Sequence, residues 1–201
     1  MNKEIIKVYD EIAENYHSKF TKENRFLLKF AGYLQKNTKV LDVGCGAGTD
    51  TKFLIDIGLK VTSIDGSDGM LKVARKVVHN HKFYRKDIGK LNFRNNSFDG
   101  IVAAFSLQYL KKESVEKMLR KFHNFLGKNG VIYIALQEGS GEKNVQQFTG
   151  YGPLFMNFYT FHEIMSLLKS SGFEILIAKK LRPNKKQLQF CKLYVIARKV
   201  K

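Results

Sequence analysis

The sequence predicts an α/β fold: a doubly wound seven-stranded mixed sheet, mostly parallel, with helices on both faces, an N-terminal helical cap and a closing C-terminal antiparallel hairpin. Three observations predict it. From Lys39 onward, short β-branched runs alternate with helical patterns, the signature of strand-helix-strand units on a parallel sheet. The first of these runs ends in an acid and breaks into three closely spaced glycines, Gly44, Gly46 and Gly48, before a helix opens. The last two runs are joined by Leu181 to Gln187, which carries turn and breaker residues but no helical pattern, so they should return antiparallel.

In chain order, residues 3–17 read as an amphipathic helix with Ile5, Ile6, Val8, Tyr9, Ile12, Ala13 and Tyr16 tending to one face. A second helix over 23–35 carries Phe26, Leu27, Phe30, Ala31 and Leu34. Strands are expected at 39–43, 60–64, 81–85, 98–104, 130–136, 173–180 and 190–198, with helices at 49–57, 67–78, 111–126 and 160–171. Ser67 is placed to cap the second of those helices. Gly58, Gly127, Gly130 and Gly172 stand where helices should stop. Between Glu138 and Tyr159 runs a long stretch rich in Gly and Gln that reads as irregular, and such loops are uncommon unless they are lids, binding loops or disordered.

The chain of 201 residues is 44% hydrophobic, enough for one sizeable core in one domain spanning 1–201. Within it we expect a helical cap at 1–37, a cofactor-binding core at 38–137, a substrate-side loop at 138–160, and a helix and β-hairpin at 161–201. No run of about 18 apolar residues marks a membrane span, and Met1 to Lys7 lacks the apolar stretch of a signal peptide. A cytoplasmic location is the expectation. The two cysteines, Cys45 and Cys191, lack the spacing of a zinc site, and no metal is expected. A formal charge of +17 raises the question of a polyanionic partner, but the basic residues scatter over helix faces and loops in small clusters. Nucleic acid is therefore an alternative partner, behind a small-molecule substrate.

What the glycine turn binds follows from its neighbours, because ligands of open α/β sheets sit at the carboxyl ends of strands where the strand order reverses. A P-loop would need Gly-Lys-Ser/Thr, whereas Gly48 is followed by Thr49 and Asp50. A dinucleotide turn would place diphosphate on the helix amides, yet Asp42 before the turn and Asp50 after it would repel it. They would attract a cation. Asp65, ending the second strand about 20 residues past the glycines, stands where nucleotide folds place the acid that takes ribose hydroxyls. A ligand with a ribose, a positive charge and no phosphates is indicated, and S-adenosylmethionine meets all three conditions.

Val40-Leu41-Asp42-Val43-Gly44-Cys45-Gly46-Ala47-Gly48 resembles the first motif of the class I S-adenosylmethionine-dependent methyltransferases. Lys86-Asp87-Ile88 resembles that family's adenine-binding position, Asn96 to Val102 its fourth-strand motif, and Leu126 to Val131 the turn before its fifth strand. Tyr9 to Tyr16 is similar to the opening helix of the small-molecule and quinone-biosynthesis branch. The resemblance implies a Rossmann-like methyltransferase that takes S-adenosyl-L-methionine and releases S-adenosyl-L-homocysteine. It implies that Asp42 helps hold the ammonium group, Asp65 the ribose and Asp87 the adenine, with Tyr16 as a lid. The full cofactor set it implies is Tyr16, Asp42, Gly44, Cys45, Gly46, Gly48, Asp65, Gly66, Met70, Asp87, Ile88, Ala104 and Phe105. Cys45 also reads as simple packing within the turn.

Methyl transfer from a sulfonium needs donor and acceptor held in line, close and dry, and a base only where the acceptor must lose a proton. The segment Ala104-Phe105-Ser106-Leu107-Gln108-Tyr109 lacks the Asn/Asp-Pro-Pro-aromatic quartet used on amino groups of bases and glutamine, which disfavours that chemistry. A small-molecule acceptor is the leading expectation, with RNA or protein, or a non-catalytic cofactor-binding role, as alternatives. Gln108 and Glu138 are the candidate catalytic residues, and Tyr109, Phe155 and Tyr159 the candidate substrate contacts. Phe148, Tyr151 and Phe158 would add to an aromatic lining.

Overall fold

A computed structural model describes residues 3–19, 25–146, 150–183 and 190–200. Two helices, α1 (Lys3–Lys19) and α2 (Arg25–Ala31), precede the sheet. The chain then runs β1 (Lys39–Val43), α3 (Thr49–Asp56), β2 (Lys60–Asp65), α4 (Asp68–Val77), β3 (Phe83–Arg85), β4 (Phe98–Ala104), α5 (Lys112–Phe125) and β5 (Leu126–Gln137). It continues through β6 (Gly141–Val145), β7 (Leu154–Phe158), α6 (Phe161–Ser170), β8 (Phe173–Leu181) and β9 (Lys192–Lys199). One-turn 3-10 helices cover Ile88–Lys90 and Leu107–Tyr109.

The main sheet has seven strands in the order β3-β2-β1-β4-β5-β9-β8. β1 to β5 are mutually parallel, and β9 is antiparallel to both β5 and β8. The predicted mixed sheet with its C-terminal hairpin is thus the observed one, although most of the hairpin turn lies outside the described residues. The strand order reverses between β1 and β4, which opens a crevice at their carboxyl ends.

The central strands are mainly apolar because helices cover both faces. Along β1, Val40 packs with Phe26, Leu27 and Phe30 of α2, while Leu41 and Val43 pack on the face covered by α5 and α6. β5 alternates likewise, with Val131, Tyr133 and Ala135 toward α2, and Ile132, Ile134 and Leu136 toward α5. Burying each such side chain contributes about 1.5–3 kcal/mol, and these layers carry the strand ends that form the crevice.

α1 lies across α4 at the mouth of the crevice. Ile12 and Ala13 pack against Met70 and Val73, and Asp10 Oδ1 accepts hydrogen bonds from Ser67 Oγ (2.6 Å) and the Gly69 amide (2.8 Å). A Cβ on Gly69 would fall 2.4 Å from the Asp10 carbonyl oxygen, so only glycine permits this approach. Ser67 caps α4 as expected, accepting from the Met70 amide at 3.0 Å.

Three expectations are corrected. The stretch read as an irregular substrate-side loop holds an antiparallel pair, β6 with β7, and Phe148 within it lies outside the described residues. β5 begins at Leu126 directly after α5, so Gly127 and Gly130 lie within the strand; Asn129 there takes the left-handed conformation (φ 61°). Gly58 and Gly172, by contrast, do follow their helices with φ of 89° and 88°. The second helix is shorter than predicted and ends at Ala31, before a run of turns.

Candidate cofactor site

At the end of β1 the chain turns through Gly44, Gly46 and Gly48, all left-handed, with φ of 74°, 52° and 84°. The turn is bonded back to β2, with the Gly44 and Cys45 amides donating to the Ile64 carbonyl at 2.8 and 3.0 Å. A Cβ on Gly44 would lie 2.4 Å from Ser106 Cβ, whereas one on Gly46 would meet nothing within 4 Å. Gly46 therefore faces open space. Gly48 packs on Ala74 of α4, and Cys45 is buried among Leu71, Ala74, Val78 and Phe83, which is the packing role read from the sequence.

A cavity opens at this turn, lined by Gly44, Gly46, Asp65, Ser67, Met70 and Ile88 on one side and by Ala104, Phe105, Ser106 and Tyr109 on the other. Ile5, Tyr9 and Tyr16 of α1 cover it. Asp65 is held by backbone, its Oδ2 accepting from the Gly46 amide and its Oδ1 from the Ser67 amide, both at 2.9 Å. Burial pushes its carboxyl above the usual range, and the amides of Ser67, Gly46 and Gly66 pull it back. A carboxylate offers about four lone-pair sites, so two remain for hydroxyl donors. Asp87 caps the 3-10 turn by accepting from the Gly89 amide (2.9 Å), which sets Ile88 in the wall. Gly66 joins Asp65 to Ser67 without lining the cavity.

Asp42 lies behind the turn, not in the cavity wall. It is 2% exposed, and its Oδ2 accepts from Thr51 Oγ1 at 2.6 Å. Thr51 Oγ1 also meets Ser63 Oγ (2.9 Å), and Ser63 Oγ meets His81 Nε2 (3.0 Å). Burial, reinforced by the charge of Asp50, pushes the Asp42 carboxyl up to about 8.

Tyr16 lines the cavity, in an edge-on contact with Tyr9 (centroids 5.7 Å). Tyr9, for which the sequence indicates only a place on the apolar face of α1, makes a second edge-on contact with Tyr109 (5.6 Å), and the two hydroxyls are 2.5 Å apart. The signal that could have marked it is its spacing of seven from Tyr16, two helical turns on one face. Burial raises the phenols of Tyr9 and Tyr16 above their ordinary value, so both are neutral near pH 7.

The candidate catalytic residues are not in the cavity. Gln108 is buried, with its Oε1 accepting from the Gln137 amide (3.2 Å). Glu138 pairs with Lys180 (2.5 Å) in a separate open groove lined by Thr160, Phe161 and His162. Of the candidate substrate contacts, only Tyr109 lines the cavity. Tyr159 is fully buried, its hydroxyl accepting from Asn157 Nδ2 (2.6 Å), and Phe155 packs in the cluster under β7. Tyr151 packs near Ile12 and Tyr16, and Phe158 tilts against Phe190. Among the described residues, no group of three or more His, Cys, Asp or Glu could hold a metal ion.

The residues fit an adenosyl sulfonium. Open space stands over Gly46, Asp65 is the one charged residue among the described lining residues, and the buried Ser106 hydroxyl has no partner. A seven-stranded sheet of this order with such a turn defines an S-adenosylmethionine-dependent methyltransferase fold. Residues 40–130 match the family described as a methyltransferase domain. A demethylmenaquinone methyltransferase of Renibacterium salmoninarum is 32% identical over 126 residues, 58% of this chain and 53% of its own length. The chain spans about half the length of the first curated relatives it matches. Among solved structures, the 1,6-didemethyltoxoflavin-N1-methyltransferase of Burkholderia thailandensis, bound to 1,6-didemethyltoxoflavin and S-adenosylhomocysteine, has a TM-score of 0.76 at 18% identity, covering 98% of this chain and 88% of that one. An S-adenosylmethionine-dependent methyltransferase of Methanosarcina mazei has a TM-score of 0.74 at 20% identity, covering 86% and 97%. These two likenesses establish the fold.

Proposed function

We propose that this chain transfers a methyl group from S-adenosylmethionine to a small, mainly apolar molecule held between α1 and the Leu107–Tyr109 turn. The observation that carries the reading is the cavity at the β1/β4 crevice, where the sole charge among the described lining residues is the Asp65 carboxylate. A single buried carboxylate complements a cation with hydroxyls and would repel phosphates. The sulfonium supplies its own activation, so the protein's part is to hold the acceptor in line and exclude water.

Asp65 would take the ribose hydroxyls, the amides of the Gly44–Gly48 turn would face the methionine part, and Met70 and Ile88 would flank the adenine. On the opposite wall, Ile5, Tyr9, Phe105 and Tyr109 form an apolar and aromatic surface with hydroxyl edges, which suits a flat or slender acceptor. The acceptors named for the two relatives, demethylmenaquinone and 1,6-didemethyltoxoflavin, are small molecules, in keeping with this assignment. No helix among the described residues is long and apolar enough to cross a membrane.

The test is transfer of labelled methyl from S-adenosylmethionine into a fractionated metabolite extract, run beside RNA and protein fractions. Label in a small organic fraction is the expected result. Label confined to RNA, with binding that falls steeply as salt rises, would transfer the assignment to the basic surface. No binding of S-adenosylmethionine by calorimetry would overturn it altogether.

A further inference from the structure

A chain of hydrogen bonds runs from behind the glycine turn to the protein surface. The Asp42 carboxyl is bonded to Thr51 Oγ1 of α3 (2.6 Å), Thr51 Oγ1 to Ser63 Oγ of β2 (2.9 Å), and Ser63 Oγ to His81 Nε2 (3.0 Å). Thr51 and Ser63 are fully buried. His81, just ahead of β3, is half-buried and stands edge-on to Phe83. Each hydroxyl can donate one hydrogen bond and accept another, so the chain can be ordered from Asp42 toward His81 or in reverse. The groups that face Asp42 are acids: Asp50 of α3, Asp65 of β2 and the Cys45 thiol of the turn, while its partner on β4 is Val102. Arg75 of α4 acts on Cys45, and among the described residues no cation acts on Asp42. A buried carboxyl with such neighbours keeps its proton, and burial pushes this one up to about 8.

Resting on the methyl-donor reading above, we propose that this chain is a proton exit: when the cationic donor binds at the turn, the proton of Asp42 leaves through Thr51, Ser63 and His81. The drive is Coulombic. Gly44, two residues past Asp42, lines the cavity, and a positive charge brought to that wall favours the ionised form of the acid behind it. The step balances as three short transfers. The Asp42 O–H bond breaks as its proton passes to Thr51 Oγ1, the Thr51 hydroxyl proton passes to Ser63 Oγ, and the Ser63 hydroxyl proton passes to His81 Nε2. His81 is then an imidazolium and sheds its other ring proton to water, which leaves a neutral ring in the opposite tautomer. Burial lowers the basicity of His81, so the charge does not stay there. One proton has moved from Asp42 to solvent, both hydroxyls are restored with their hydrogen bonds reversed, and no water has entered the turn.

The first measurement is calorimetry near pH 7 in buffers of different ionisation enthalpy, which counts the protons exchanged per ligand bound. S-adenosylmethionine should release about half a proton or more from wild type. S-adenosylhomocysteine has the same amino-acid end without the sulfonium charge and should release clearly less. Asp42→Asn, with no proton to give, should lose most of that difference. The second measurement is stopped-flow release into a pH indicator, set beside binding followed by tyrosine fluorescence, since the chain has no Trp. In His81→Gln the amide can still bond to Ser63 but cannot pass a proton on. Release should then lag several-fold behind wild type, with affinity and proton count unchanged. Equal release by both ligands, or a difference undiminished in Asp42→Asn, would overturn the role of Asp42. Release from His81→Gln as prompt as from wild type would overturn the exit route. Binding to wild type without proton release would overturn the proposal and leave the donor reading standing, whereas a wild type that binds neither ligand would overturn both.

Discussion

Replacing Asp42 by Asn should stabilise the ligand-free protein, by an amount that grows with pH. The side chain is 2% exposed and keeps one described hydrogen bond, from Thr51 Oγ1, which the Asn carbonyl can also accept. Burial, and then the charge of Asp50, raises its carboxyl from an ordinary 3.8 to about 8. A carboxyl raised on folding keeps the native state holding more protons than the unfolded chain between those two values, so its contribution to stability falls as pH rises through that window. The loss accumulates at about 1.4 kcal/mol per pH unit, reaching about 4 kcal/mol at pH 7 as an upper bound. Asn carries no proton to lose. Its extra N–H group adds a cost that does not vary with pH. Urea unfolding of both proteins from pH 5 to pH 8 should therefore give a stability gap that widens steadily in favour of the variant. Parallel curves would show that Asp42 titrates normally, and that the packing around Thr51 and Ser63 admits enough water to solvate its charge. Asp50, also raised by burial, to about 6, is present in both proteins, but its charge acts on the Asp42 carboxyl alone, so its ionisation within this range keeps Asp42 protonated to higher pH and adds to the gap.

Asp65→Ala should weaken S-adenosylhomocysteine at least about a hundredfold, since two ribose hydroxyls would lose a charged acceptor and the Gly46 amide its anchor; calorimetry within fivefold of wild type would remove Asp65 from the site. Gly44→Ala forces a methyl group 2.4 Å from Ser106 Cβ at φ of 74°; a destabilisation of about 2–4 kcal/mol is expected from clash and backbone strain together, and a melting temperature unchanged by the substitution would refute the close approach of the segments that follow β1 and β4. Asp10→Ala breaks the two bonds from Ser67 and Gly69 that dock α1; proteolysis within α1 should quicken several-fold while the core resists, and unchanged cleavage would mean that apolar packing alone holds the cap.

The sheet was legible because its pattern is dictated by burial on both faces. Lys39–Val43 and Phe98–Ala104 coincide with the strands read from sequence, since mainly apolar, β-branched runs between glycine and polar breaks leave few alternatives. β6 was not legible. Gly141-Glu142-Lys143-Asn144 are all exposed, their types are poor strand formers, and only pairing with the buried Leu154–Phe158 makes a strand of them. The start of β5 was misplaced for a related reason. Glycine is the usual residue after a helix, but Asn also tolerates the left-handed region, and here Asn129 adopts it while Gly127 and Gly130 do not.

The two halves of the cavity differ in how sequence encodes them. The donor half is built from one strand-turn-helix and the next strand, so its parts lie within about 20 residues of one another at spacings the backbone fixes. Its roles still shifted in the structure: Asp42 proved to be a buried acid behind the turn, and Cys45 and Gly48 packing residues, leaving Gly44, Gly46 and Asp65 as the cavity's own contribution from that segment. The half proposed for the acceptor is assembled from α1, the end of β4 and the 3-10 turn after it, elements separated by about a hundred positions, as the Tyr9 to Tyr109 contact is. No local spacing announces such a wall. The residues that sequence alone put forward for chemistry, Gln108 and Glu138, were chosen for following parallel strands, and both are spent on internal partners, the Gln137 amide and Lys180. Under the proposed assignment, two tyrosine hydroxyls and an apolar surface would face the acceptor, and an enzyme so equipped would select its substrate by shape and position.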